Sequence, residues 1–184
     1  MRFVILGGSG SGKSTQAQRL CRHFDIPLIS TGEIFGEAIA NISSNGRHVQ
    51  PYMEKGELVP DETTIEFILT RLNQDDISTG WVLEGYPRTA FQAEELDFLL
   101  DDLHQKLDWA IYLQVPEAVM VTRSLGRSLP DDQPEIVQGR VELFYDRTMN
   151  ILEYYDRRRR LLTINGDQLP EMVEQNILTL LCVP

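Results

Sequence analysis

From Gly7 to Thr15 the chain reads Gly-Gly-Ser-Gly-Ser-Gly-Lys-Ser-Thr, a cation and paired hydroxyls embedded in glycine. Gly7 through Ser14 fits the phosphate-loop spacing G-x-x-x-x-G-K-[ST]. Such a run can hold a polyphosphate. Its small residues let successive backbone N–H groups turn toward one point, a helix opening at Lys13 adds partial positive charge there, and the Lys13 ammonium reaches the outer phosphates. A plain turn between a strand and a helix would not require Lys13 and the hydroxyls in register. Gly10, Ser11, Gly12, Lys13, Ser14 and Thr15 are therefore the candidate phosphate contacts.

The motif needs a strand before it and a helix after it. Arg2-Phe3-Val4-Ile5-Leu6 is an apolar run suited to a buried strand, and residues 13–23 read as a helix. Further buried strands are expected at 26–30, 80–84, 107–115 and 161–164, each followed by a helical stretch. Five such strands alternating with helices predict an α/β fold: a parallel sheet covered by helices on both faces, with ligands gathered at the carboxyl ends of the strands. Residues 30–59, broken by Gly46, Pro51 and Gly56, read as a small helical lobe. A helix through Leu72 follows it, and a long helix is expected over about 135–155. The loop 124–134 before that helix reads equally as a lid or as an ordinary helix-helix turn.

Composition narrows the partners. The 184 residues suffice for one substantial core, and 17 Lys plus Arg against 28 Asp plus Glu give a formal net charge of -11. That charge repels nucleic acid and anionic lipid at long range, so neither is an expected partner. If the ligand is itself anionic, the cations must converge on its site, and 14 of the 17 are Arg, the side chain suited to planar phosphate recognition. Cys21 and Cys182 lack metal-ligand spacing, and no apolar run approaches the roughly 20 residues of a membrane span. A cytoplasmic chain is expected.

Taken together, the phosphate loop, Ser30-Thr31-Gly32-Glu33, Gly56-Glu57-Leu58-Val59-Pro60-Asp61, Glu84-Gly85-Tyr86-Pro87-Arg88-Thr89 and Gln92 resemble the adenylate kinase family. Arg123, Gly126-Arg127, Asp131-Asp132 and Arg140 follow in the order of that family's lid and the helix after it, and Asn165-Gly166 is similar to its last nucleotide-contacting turn. The resemblance covers nearly the whole chain. It implies a P-loop NTPase-type sheet in a single kinase domain, with a core of 1–29, 60–125 and 133–184, a nucleoside-monophosphate lobe of 30–59 and a short lid of 126–132. The implied reaction is reversible, magnesium-dependent transfer of the outer phosphoryl group of ATP to AMP by a monomer. The acceptor is already anionic, so no general base is required; alignment, charge neutralisation and exclusion of water supply the catalysis. His23, His48 and His104 accordingly fall outside every block.

The resemblance assigns Lys13, Arg88, Arg123, Arg127 and Arg140 to the transferring group. It assigns the loop residues, Arg123, Arg127 and Gln168 to ATP. AMP falls to Thr31, Gly36, Glu57, Leu58, Val59, Gly85, Tyr86, Pro87, Arg88, Gln92 and Arg140, with Gln92 on the purine edge. Magnesium would be met by Ser14 or Thr15 and by water held on Glu33 and Glu84. The similar UMP/CMP kinases usually carry Ala at the position of Thr31 and Asn-x-Asp-Asn in place of Thr89-Ala90-Phe91-Gln92, so these positions favour AMP. The competing readings are a UMP/CMP-type kinase and a nucleotide-sensing protein with weak transfer.

The sequence departs from the family at two phosphate cations. Gly36 and Leu129 stand where Arg is usual, and Arg127 or Arg47 is the expected substitute. Glu33 and Glu84 stand where Asp is usual. Arg157 to Arg160, and Glu94-Glu95 with Asp97, read as solvated faces. Phe144, Tyr145, Tyr154 and Tyr155 read as packing residues of the long helix rather than base-stacking ones.

Overall fold

The computed structural model describes residues 1–127 and 133–182, so Leu129, Asp131 and Asp132, and most of the expected lid, lie outside the described residues. Five parallel strands form one sheet: β1 (Arg2–Leu6), β2 (Leu28–Ser30), β3 (Trp81–Glu84), β4 (Trp109–Gln114) and β5 (Leu161–Asn165), in the order β2-β3-β1-β4-β5. The chain leaves β1 for one edge, returns through β3, then crosses to build β4 and β5 on the other side. This reversal beside β1 opens a crevice at the carboxyl ends of the strands. The strand expected from residue 26 begins at Leu28. Pro27 has no N–H to give the ladder, although its carbonyl still accepts from Val82 N–H at 3.0 Å.

Alternation along β1 shows why its run is apolar throughout. Phe3 and Ile5 enter one core cluster with Ala17 and Leu20 of α1 (Lys13–Phe24) and with Val173 and Ile177 of the C-terminal helix. Val4 and Leu6 enter the opposite cluster with Ile68, Leu96, Ile151 and Tyr155. Phe3 and Val4 are both fully buried, and each such side chain contributes about 1.5–3 kcal/mol relative to exposure.

The small lobe is α2 (Thr31–Ala40) and α3 (Ser44–Lys55), packed on the start of α4 (Asp61–Leu72) around Phe35, Val49 and Val59. The Gly- and Pro-containing segment is thus a continuous helix. Ser43 caps it by accepting from Gly46 N–H at 2.9 Å, Gly56 ends it at φ 71°, and Pro51 sits on its exposed side. Gly46 is required where α2 and α3 touch, because a Cβ there would lie 2.0 Å from the Ala38 carbonyl oxygen.

Next in chain order are α5 (Ala90–Asp102), α6 (Glu117–Leu125), α7 (Pro134–Leu143), α8 (Met149–Arg157) and α9 (Pro170–Leu181). The single long helix expected over 135–155 is α7 and α8 joined through a π-helical turn, Phe144–Thr148. Such wide turns often accompany functional sites. None of the described helices is long and apolar enough to cross a membrane.

Within the two charged segments read as solvated, Asp97, Arg158 and Arg160 meet across elements. Asp97 is half-buried and accepts from the Tyr154 hydroxyl at 2.8 Å and from Arg160 Nη1 at 3.3 Å, with Arg158 Nε at 3.6 Å. Arg158 also lies over the Tyr154 ring, 3.5 Å from its centroid. Asp97 therefore fastens α5 to the end of α8.

Candidate active site

Leu6 ends the central strand, and the phosphate loop turns directly into α1. At Gly10, φ is 79° and a Cβ would lie 2.1 Å from the Met120 carbonyl oxygen, so only glycine allows the loop to press against α6. Ser11 faces inward, 2% exposed, so only its backbone can serve a ligand. The Lys13 ammonium donates to its own loop at the Gly8 carbonyl, 2.7 Å away.

Parallel pairing brings three strand ends together, because Ile5 and Ser30 are both registered with Glu84. Glu84 accepts from Ser14 Oγ at 3.0 Å, with Ser30 Oγ at 3.5 Å. Beyond it, Gly85 adopts φ 88°, and a Cβ would collide with Thr31 Oγ1 at 2.1 Å. Arg88 Nε donates to the Gly85 carbonyl at 2.8 Å, and the Thr148 hydroxyl donates to the Arg88 carbonyl at 3.3 Å. The π turn thus supports the loop that carries Arg88.

On the opposite wall Arg123 donates to the Gly166 carbonyl at 3.0 Å and to Asp167 Oδ1 at 3.1 Å. Arg127 reaches Ser9 Oγ at 3.3 Å, which puts it beside the phosphate loop. Arg140 of α7 lies against the end of α3, where a Cβ on Gly56 would be 3.1 Å from its Nε. Between these walls is a cleft of about 480 Å³. Lys13, Arg88, Arg123, Arg127 and Arg140 line it, against the carboxylates of Glu57 and Glu84. A chain of net charge -11 has gathered five cations around one cavity.

The electrostatics follow from that crowding. Enclosure by protein lowers the Lys13 pKa to about 8, opposed by Glu84 and assisted by Arg88 and Arg127. Arg88 is open to water within the cleft, yet the surrounding protein, with Arg140, also lowers its pKa against the pull of Glu84. An anion would relieve both. The free enzyme should therefore lose kcat/KM for the phosphate donor as pH rises through about 8, where Lys13 gives up its proton. Stability moves oppositely: the folded pKa lies below the ordinary 10.5, so between these values the unfolded chain binds more protons at Lys13, and stability from this group rises with pH. A pH series on wild type and Lys13→Met checks both signs; a donor kcat/KM level from pH 7 to 9 would contradict the first.

Gly10, Gly12, Lys13, Ser14, Thr15, Glu57, Leu58, Gly85, Pro87 and the four arginines line the cleft. Thr31, Tyr86 and Gln92 are buried behind it, and Val59 is in the lobe core. Glu33 is exposed at the first turn of α2. Gln168 is exposed, its carbonyl accepting from Asn176 at 2.8 Å. Gly36 is exposed, with open space where a side chain would go. Arg127 lies on the phosphate-loop side, and Arg47 is exposed on α3 and does not line the cleft. Met53, Leu143, Phe144 and Thr148 line the cleft unforeseen. Arg140, Phe144 and Thr148 recur every four residues, a signal the sequence did offer. Phe144 also packs on Tyr112, ring centroids 6.3 Å apart, so it serves both core and cleft.

Among the described residues, no group of three or more His, Cys, Asp or Glu could hold a metal alone. The Ser14 hydroxyl beside the Glu84 carboxylate is the hard-oxygen pair that suits Mg²⁺ shared with substrate phosphates and water.

The family model described as Adenylate kinase matches residues 5–160. The chain is similar to Adenylate kinase 2 of Nostoc sp., 79% identical over 183 residues with 100% of both chains covered. It is 54% identical to Adenylate kinase 2 of Synechocystis sp., covering 94% of this chain and 98% of that one. Adenylate kinase 1 of Nostoc sp. is 40% identical, with 96% of each covered.

Proposed function

The chain belongs to the adenylate kinase family, and from that premise we propose that its cleft passes the outer phosphoryl group of magnesium-bound ATP to AMP, reversibly, giving two ADP. The observation that carries this reading is the convergence of five cations on a cleft floored by a phosphate loop, in a chain otherwise strongly acidic.

The loop from Gly10 to Thr15, with Lys13, holds the donor phosphates, and Arg123 and Arg127 close over them from α6 and its end. Arg88 and Arg140 face them from the acceptor side. Charge on the transferring group is spread over its equatorial oxygens, so cations on opposing walls both align the reactants and neutralise what develops. Ser14 or Thr15, with water on Glu84 and Glu33, would hold Mg²⁺, which would supply charge neutralisation at the phosphates. Glu84 keeps the Ser14 hydroxyl oriented toward that role.

AMP is proposed to lie between the small lobe and the Gly85–Arg88 loop, its base against Thr31, Gln92 and the backbone of Glu57 to Val59. Gly36 borders this subsite, and Gln168 follows the turn proposed to contact ATP. Residues 30–59 act as the acceptor lobe, 126–132 as a short lid, and 1–29, 60–125 and 133–184 as the core. We also propose that the protein is a cytoplasmic monomer.

A coupled assay of ADP formation from ATP with AMP, CMP, UMP and GMP in turn tests the reading. AMP should be the preferred acceptor; equal use of CMP or UMP overturns it. Gln92→Ala should raise KM for AMP by about tenfold or more, the scale of a lost hydrogen-bonding contact, and leave KM for ATP nearly unchanged.

A further inference from the structure

Gln92 is 2% exposed, and both ends of its amide are committed. Oε1 accepts from the Arg88 backbone N–H at 2.7 Å, and Nε2 donates to Asp61 Oδ1, also at 2.7 Å. The Gln92 backbone is fixed as well, its N–H donating to Thr89 Oγ1 at 3.1 Å where α5 begins. Asp61 belongs to another element: it is the first residue of α4, where the chain returns from the small lobe.

A primary amide has nearly the same shape either way round, but one end donates and the other accepts. Turned over, Gln92 would set N–H against the Arg88 N–H and oxygen against the Asp61 carboxylate. A backbone N–H only donates and an ionised carboxylate only accepts, so neither partner can adapt. One orientation satisfies both. It leaves each end a single further capacity, the second N–H of Nε2 and the second lone pair of Oε1.

We propose that Asp61 is a specificity-determining positioning residue that, by locking the Gln92 amide, makes the acceptor subsite select 6-aminopurine mononucleotides over 6-oxopurine ones. A base edge with a ring acceptor beside an exocyclic amino group matches the fixed donor-acceptor order. An edge with a ring N–H beside a carbonyl presents the reverse order, and Gln92 cannot turn to meet it. The inference rests on the reading of Gln92 as the acceptor-base contact.

The test compares kcat/KM for AMP and IMP at saturating ATP, because these acceptors differ only in the polarity of that edge. Asp61→Asn keeps the size and removes the acceptor-only charge, which leaves the Arg88 N–H as the one described partner that opposes a turned-over Gln92 amide. The AMP-to-IMP ratio should fall by about tenfold or more, with KM for ATP unchanged and Asp61→Glu retaining most of the preference. Each ratio is taken within one preparation, so a loss of folded protein cancels. If Asp61→Asn does not fold, Asp61→Ser replaces it, since a hydroxyl can also donate or accept. An unchanged ratio overturns the proposal, as does an Asp61→Glu variant as unselective as Asp61→Asn. Gln92→Ala separates the two levels of failure. If it alters the ratio while the charge-removing variant does not, the positioning role is wrong and the base contact stands. If it leaves the ratio intact and affects ATP and AMP equally, the base contact is wrong and the positioning role falls with it.

Discussion

Replacing Lys13 by Met is expected to lower kcat by about a hundredfold or more while the protein stays folded, the loss typical when one charge-stabilising donor is removed from a transition state. Lys13 is the half-buried first residue of α1, and Met supplies a similar aliphatic stem. The head is different. Its only hydrogen bond among the described residues is to the Gly8 carbonyl of its own loop, and its enclosure already disfavours the charged form. The folded protein thus carries a cation at some cost, which an anionic ligand offsets. Removing that cation should leave the melting temperature unchanged or raised below pH 8, where the ammonium is charged. Circular dichroism checks the fold and a coupled assay the rate. A variant keeping more than about a tenth of wild-type kcat contradicts the phosphate-loop role, because a transition-state contact costs several kcal/mol.

Arg88→Met should cut kcat/KM for AMP by about a hundredfold to a thousandfold, and its backbone geometry makes the result interpretable. The Arg88 N–H is bonded to Gln92 and its carbonyl to Thr148, and neither contact uses the side chain. Truncation therefore removes the guanidinium and its one bond to the Gly85 carbonyl, while these two backbone contacts still hold the loop. Arg88→Lys should recover only a small part of the loss, since an ammonium cannot span two phosphate oxygens as a planar fork does. The division between constants identifies the role: a fall in kcat marks contact with the transferring group, whereas a rise in KM for AMP alone marks ground-state acceptor binding. A loss under tenfold in both would remove Arg88 from the proposed machinery. Thermal melting of the variants guards against a structural explanation.

The electrostatic logic of the cleft explains why an acidic protein can handle two anionic nucleotides. Its carboxylates outnumber its cations, yet the described cleft wall reverses that balance. Both Arg88 and Lys13 are held by acceptors in their own loops, at Gly85 and Gly8. Neither must fold into place when substrate arrives, which limits the ordering cost of binding.

The sequence alone determined whatever depends on neighbours along the chain. Steric limits on backbone rotation and the periods of strand and helix act over a few residues, so the phosphate loop, the apolar runs of β1, β3 and β4, and the Ser30-Thr31 entry to α2 were legible. The same local rules misjudged α3, because Gly46 and Pro51 look like breaks until the packing of α2 against Gly46 and the exposure of Pro51 are known. Only the tertiary structure decided which distant groups meet. Asp97 reads as one more surface acid until β5 and α8 bring Arg160 and Tyr154 to it, 63 and 57 residues away. Phe144 and Thr148 share a readable spacing of four with Arg140, but that this stripe faces the cleft across a wide helical turn is decided by the packing. The Asp61–Gln92 bond spans 31 residues and two helices. Such contacts are set by which buried faces pack together, and burial of apolar surface is non-directional: it commits the faces, and the polar pairs then follow from where those faces bring them.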